Sequence, residues 1–350
     1  MSRVLLSSDL MPRIAAYQRG IYHDMAALSM FRPLVAHSSL PHVQDIHDRL
    51  APWLRIHGPS RLDLLFTCLP HMRRLVFIYL VATGQVDLLD RLHMDRSVYP
   101  TDIMQVAAAT GQLSSLNFLN KILPLDNGAV LVAAAAHGHL EIVKYVHQAG
   151  GPSSPRAMDV AAAGGYLQIV QFLHFNRREG CTKAAMDLAA QHGHLKVVEF
   201  LGTYRHEGCT RAALHSAAAN GHVKVVEWLH KNRNERWGSE TIAEAAASGH
   251  LAALMYLQQA RPRAGCTKQA MDAAATNGHM DVVQFLHRHR SDGCSEKAIE
   301  GAKRNGHTHI VAYLEQYGDD LVHTVCCACG FTKPRNHTCA SMQRVSIKCS

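Results

Sequence analysis

Aromatic residues are scarce in this chain, at 6% of 350 positions. That shortage argues against a β-architecture, whose strands draw on aromatic and β-branched side chains. Alanine is abundant instead, a balance suited to closely packed helices. No uninterrupted apolar run approaches the ~20 residues that span a bilayer. The nearest, Arg73 to Leu89, is interrupted by Thr83, Gly84, Gln85 and Asp87. The first residues carry Arg3, Asp9, Pro12 and Arg13 and no apolar stretch of the signal-peptide kind. The resulting expectation is a cytoplasmic or nuclear protein with no membrane association. Catalytic signatures are missing as well. The chain has no Gly-x-x-x-x-Gly-Lys-Ser/Thr, no His-Glu-x-x-His and no Gly-x-Ser-x-Gly. An enzyme is not expected.

What the chain does have is a period. Gly138-His139, Gly193-His194, Gly221-His222, Gly249-His250, Gly278-His279 and Gly306-His307 recur, with degenerate versions at Gly84-Gln85, Gly111-Gln112 and Gly165-Tyr166. Successive glycines are 27, 27, 27, 28, 28, 28, 29 and 28 residues apart. A period in this range marks one supersecondary unit repeated and stacked. Each repeat need only bury its faces against two neighbours, so the length of the chain sets no limit on its core. Stacked arrays offer a surface to a partner and no enclosed pocket for chemistry.

The stretch Cys209 to Arg233 shows one unit. Thr210 is placed to cap a first helix, along which Ala213, Leu214, Ala217 and Ala218 fall at helical spacing. Small residues there let neighbouring backbones approach closely. Gly221 ends the helix, because glycine readily adopts the left-handed conformation. A second helix follows with Val223, Val225, Val226, Trp228 and Leu229 as its apolar stripe. Seven residues after the glycine stands an aromatic in eight of nine units, from Phe118 to Tyr313, expected to join a continuous core.

The string Leu214-His215-Ser216-Ala217-Ala218-Ala219-Asn220-Gly221-His222 resembles the ankyrin-repeat consensus, and Val225-Val226 with Trp228-Leu229 resembles its second helix. The resemblance covers about Leu75 to Gly318. It implies an all-α, ankyrin-type solenoid of about nine helix-turn-helix units that binds a partner protein. Two features depart from the family. The period is near 28 where the family's is 33, and the threonine-proline turn before the first helix is absent. Several units read Met-Asp (Met158-Asp159, Met186-Asp187, Met271-Asp272) in place of Leu-His. The missing residues fall between helix pairs, which implies shortened loops in place of the family's hairpin fingers.

This divides the chain into 1–70, a helical N-terminal cap or docking segment; 71–318, the repeat array; and 319–350, a cysteine-rich tail. Leu80 and Val81 replace the alanine pair in the first unit, and Lys303, Arg304 and Asn305 give the last one a polar outer face, as end caps require. Two amphipathic helices are expected in the first segment, one from Leu5 to Tyr17 and one from His42 to Leu54. The segment serves either to shield the first repeat or, by a loose resemblance of Leu5 to Leu34 to the F-box, to dock a ubiquitin-ligase scaffold.

Cysteine and histidine are plentiful, at ten and 25 residues. Cys181, Cys209, Cys266 and Cys294 each precede a repeat glycine by 12 residues, and Trp237 takes the same slot in another unit. Equivalent sites in adjacent helices lie about 8–10 Å apart, too far for a disulfide, so these read as reduced packing residues. The histidines form ladders, one after each turn glycine and one near the end of the second helix (His93, His147, His174, His230 and His287), where the helix dipole favours a cation. A ladder does not converge on one metal ion. In the tail, however, Cys326, Cys329, His337 and Cys339 have zinc-ligand types at plausible spacing. Two readings stand for it, a small zinc site or incidental cysteines, and no other cofactor is expected.

The formal net charge is +8. Much of it sits between and at the starts of helix pairs, at Arg177, Arg178, Lys183, Arg205, Arg211, Arg233, Arg236, Arg261, Arg263 and Lys268, with Glu179, Glu207, Glu235 and Asp292 as the few acids. Stacked in register, these cations would line one edge. They are either a solvated edge or a platform for an acidic segment of a partner protein, arginine suiting the planar carboxylate. Nucleic acid is a further alternative, disfavoured because no aromatics interleave with the cations for base stacking. The protein is expected to be monomeric.

Overall fold

The computed structural model describes residues 22–31, 43–92, 102–125, 128–152, 154–233, 237–260, 268–289 and 294–321. Among them are twenty α-helices and no strand, the all-α class that the composition points to. The described residues fall into two compact units: those up to Ala161 with Gln168–Gly180, and Ala162–Leu167 with those from Cys181 onward.

The first unit opens with a 3-10 turn at His23–Met25, helix α1 (Val43–His57), a 3-10 turn at Pro59–Arg61 and α2 (Leu62–Cys68). Paired helices come next: α3 (Met72–Thr83) with α4 (Val86–Arg91), α5 (Ile103–Ala109) with α6 (Leu113–Asn120), and α7 (Ala129–Ala136) with α8 (Leu140–Gln148). Helices α9 (Pro155–Ala163) and α10 (Leu167–Asn176) have residues in both units. The Asp24 carboxylate fastens the opening turn to α1 and to the 3-10 turn at its end. It accepts from Arg61 Nε at 2.9 Å and Nη2 at 3.1 Å, and from Trp53 Nε1 at 3.3 Å. Burial is the largest single influence and works against that carboxylate, but the Arg61 hydrogen bond and charge, a backbone hydrogen bond and His57 together hold Asp24 below its usual range. Met25 and Leu28 are buried, as are Ile46, Leu50 and Trp53 of α1. The helical cap is therefore present over these residues, while the expected helix at Leu5–Tyr17 lies outside those described. Of the F-box-like segment, Met25 and Leu28 are committed to the protein's own core. Helix α3 packs on α1, an element that later repeats do not have, as well as on α5, and its bulky Leu80 and Val81 are fully buried.

The second unit holds five pairs: α11 (Lys183–Gln191) with α12 (Leu195–Tyr204), α13 (Arg211–Ala219) with α14 (Val223–Asn232), α15 (Ser239–Ala247) with α16 (Leu251–Ala260), α17 (Lys268–Thr276) with α18 (Met280–His289), and α19 (Glu296–Arg304) with α20 (Thr308–Leu321). Within it each first helix packs on the next first helix, and each second helix on the next second helix. The alanine pairs Ala189-Ala190, Ala217-Ala218, Ala245-Ala246 and Ala274-Ala275 have no exposed surface. They are the thin layer between first helices. Leu201, Leu229, Leu257, Leu286 and Leu314 are equally buried on the second helices, and each such side chain contributes about 1.5–3 kcal/mol by leaving water.

The Gly-His signature joins one repeat to the next. Gly193, Gly221 and Gly249 hold φ near +75° (77°, 73° and 76°), where only glycine is unstrained. Each is also where the following repeat's imidazole lies. A Cβ on Gly193 would stand 2.5 Å from His222 Nδ1, and one on Gly249 would stand 2.5 Å from His279 Nδ1. The other ring nitrogen reaches back to a main-chain carbonyl: His279 Nε2 donates to Ala247 at 2.9 Å, and His194 Nε2 to Ala163 at 3.0 Å. In the first unit His139 does the same to Ala109 at 2.9 Å. Burial pushes His194 below the ordinary histidine value, and its neighbours His192 and His222 add to that.

The aromatic row departs from expectation. Of its members in the described residues only Phe200 is buried, and the rest are half-buried between second helices. Tyrosine brings a hydroxyl that must be satisfied, and the histidines near the helix ends supply the partners. The Tyr256 hydroxyl lies 3.1 Å from His230 Nδ1, and Tyr313's lies 2.6 Å from His287 Nδ1. In the first unit the Tyr145 hydroxyl is held between Asn120 and Asn117, at 3.0 and 3.2 Å. Trp228 lies over Gly202, which has no side chain to obstruct the indole. These histidines thus serve side-chain bridges from one repeat to the next, a role different from the dipole partnership expected of them.

Candidate functional site

Among the described residues the loop cations differ in exposure and partners. Twelve residues after the turn glycine stand Arg177, Arg205 and Arg233, and the structure turns them inward. Arg205 is paired with Glu207, its Nε 3.2 Å from Oε2 and its Nη2 closer still to Oε1. Burial, the largest single influence, would raise the Glu207 carboxyl, but the Arg205 hydrogen bond and charge together with backbone hydrogen bonds hold it low. The same carboxylate accepts from the Cys181 amide at 3.5 Å, tying two loops together. In the first unit the Arg177 side chain is only 10% exposed; its Nη1 donates to the Gly151 carbonyl at 3.1 Å and lies 4.0 Å from Glu179. Arg233 is half-buried at the matching position. Arg178, in the first unit, is exposed. The pairing has a sequence signal, Arg-x-Glu at Arg177–Glu179 and Arg205–Glu207, which a count of charges passes over. Arg236, Arg261 and Arg263 lie outside the described residues.

A second set of cations projects. Lys183, Arg211 and Lys268 are exposed and are the first residues of α11, α13 and α17. The first helices pack side by side, so these positions recur along one edge of the second unit. A cation there opposes its own helix dipole by about 0.3–1 kcal/mol. At α13 a carboxylate from the preceding first helix offsets part of this positive potential. Asp187 accepts from the Thr210 amide and hydroxyl, both at 2.8 Å, and Thr210 in turn caps α13 by accepting from the Ala212 amide. Asp272 accepts from the Ser295 amide at 2.8 Å and hydroxyl at 2.5 Å, and Ser295 caps α19. At Asp187 and Asp272 the Met-Asp departures from the consensus are therefore capping devices that reach across repeats.

The junction of α13 with α15 is built differently. Six residues before the turn glycine, where Asp187 and Asp272 stand, this repeat has His215. The cap of α15 is Gly238, which makes no side-chain bond. Beside it an open cleft of about 450 Å³ is lined by Arg211, His215, Trp237, Ser239 and Glu240, among others. Sequence reasoning grouped Arg211 with the loop cations and did not single out His215 or Ser239. The signal was there in the series Asp187, His215, Ala243, Asp272, but it acquires meaning only once the aspartates are seen to cap their neighbours.

Cys181 and Cys209 are buried and in no disulfide, in the slot shared with the buried Trp237, as packing residues should be. Cys294 is a half-buried free thiol that burial pushes up. Among the described residues no group of three histidine, cysteine or acidic side chains is placed to hold a metal ion. Cys266 and the proposed zinc ligands Cys326, Cys329, His337 and Cys339 lie outside them. No helix among the described residues is long and apolar enough to cross a membrane. The family model described as Ankyrin repeats (3 copies) matches residues 158–240 and 186–266. No curated protein matches the chain.

Proposed function

We propose that the chain, which matches the ankyrin-repeat family model over residues 158–266, of a family whose repeats mediate protein–protein interaction, is a non-catalytic scaffold that holds an acidic segment of a partner protein along its first-helix edge. The observation that carries this reading is the exposed recurrence of Lys183, Arg211 and Lys268 at the starts of first helices in one packed series. Those charges are unfavourable to their own helices, and a carboxylate-rich partner would relieve them while steering its own approach. Arg205 already has an internal carboxylate and Arg177 an internal carbonyl, so both contribute to loop shape more than to recognition. Affinity capture with mass spectrometry tests the proposal, comparing the wild type with a Lys183→Glu, Arg211→Glu, Lys268→Glu variant. The expected result is a partner with an acidic segment that the variant no longer captures while keeping wild-type helicity. Equal capture by both proteins would refute the charge-based mode.

A further inference from the structure

Resting on that reading, we propose that the cleft between α13 and α15 is where one carboxylate side chain of the bound segment anchors, taking the place that the chain's own aspartates fill at the α11–α13 and α17–α19 junctions. Two such junctions show what this position accepts. Asp187 and Asp272 each bring a carboxylate to the amide and hydroxyl of the next helix's cap, at 2.5–2.8 Å. Between α13 and α15 the same position supplies an imidazole, His215, and the cap supplies no hydroxyl, being Gly238. Of the four matching positions, His215 and Ala243 both lack the carboxylate, and beside His215 a cleft is present.

The chemistry of the lining selects the ligand. Arg211 is exposed at the start of α13 and offers a fork of N–H donors that a carboxylate matches in plane. His215 lines the same cleft with a ring N–H, and Ser239 adds a hydroxyl at the first turn of α15. Trp237, 6% exposed, is the rigid apolar member of the lining. Glu240 also lines the cleft, and its charge penalises a dianion more than a monoanion. The arrangement therefore fits an aspartate or glutamate side chain. Lys183 and Lys268 occupy the corresponding first-turn positions of α11 and α17, on the helices packed on either side of the α13–α15 pair. An extended acidic segment anchored in the cleft would find a cation beyond each end of it.

The test uses the full chain and a fluorescently labelled oligoglutamate peptide, read by fluorescence anisotropy at low salt. His215→Asp gives the chain its own carboxylate at this junction, on the pattern of Asp187. It is expected to weaken binding by about tenfold, as is Arg211→Gln, and the thermal midpoint of His215→Asp is expected to equal or exceed that of the wild type. Lys268→Gln, which alters the row but not the cleft, should weaken binding by less. If the wild type binds the peptide and both cleft variants bind it within about twofold, the anchor assignment falls and the scaffold reading stands. A wild type that does not bind oligoglutamate overturns the acidic-partner reading and the anchor with it. Should His215→Asp not fold, Arg211→Gln decides alone by the same criterion.

Discussion

At Gly193 two requirements meet in one residue. Its φ of +77° closes the turn after α11, and its bare Cα is the floor on which His222 of the next repeat rests. The dipeptide recurs because the glycine serves both its own turn and the following repeat's histidine, while the histidine serves the junction. Gln112 makes the same approach to Gly84, so the position asks for a planar polar group more than for a titratable one. Stability should respond to pH through this junction. The folded His194 has a pKa below its ordinary value, whereas in the unfolded chain it titrates near ~6.5. The unfolded state therefore binds more protons as pH falls, so the stability is fully present above that value and is lost as pH drops through the folded one. His194→Gln should remove this part of the slope. The check is urea unfolding at about pH 7.5 and about pH 5.5, with a smaller loss of midpoint expected for the variant. An identical loss in both proteins would mean that His194 is not among the groups responsible.

At the scale of the helix, the small-residue pattern was legible because burial and spacing are both written in one dimension. Ala190 and Ala218 fall at the expected first-helix sites and are fully buried. Ala190→Leu should overpack the layer where α11 meets its neighbour α13 and cost roughly 1–3 kcal/mol by chemical denaturation. A near-wild-type midpoint would mean that the alanine does not sit in that layer. The aromatic row was less legible. Its period places it on one face of the second helices, but whether that face is core or seam depends on the partner helix. Tyr256 and Tyr313 are half-buried, with hydroxyls at His230 and His287, and no single repeat contains both members of such a pair. The aspartate caps were hidden for the same reason, since Asp187 acts on Thr210, 23 residues away.

At the scale of the molecule, the repeat count and the all-α class could be read directly, because a period of 27–29 residues survives any uncertainty about individual side chains. Charge was harder to read. Ten cations looked like one stripe, yet Arg205 is paired with Glu207, Arg177 is turned onto a carbonyl, and Lys183, Arg211 and Lys268 project. Sequence lists charges; only the fold says which are already neutralised. The proposed interaction surface is accordingly narrower than the sequence suggested, and it belongs to the first-helix edge of the second unit.

Hydrogen–deuterium exchange on the purified complex with the captured partner tests that surface most directly. The account predicts added protection at the first turns of α11, α13, α15 and α17, beginning at Lys183, Arg211, Ser239 and Lys268. Protection confined to the second helices, with those first turns exchanging as in the free protein, would contradict it.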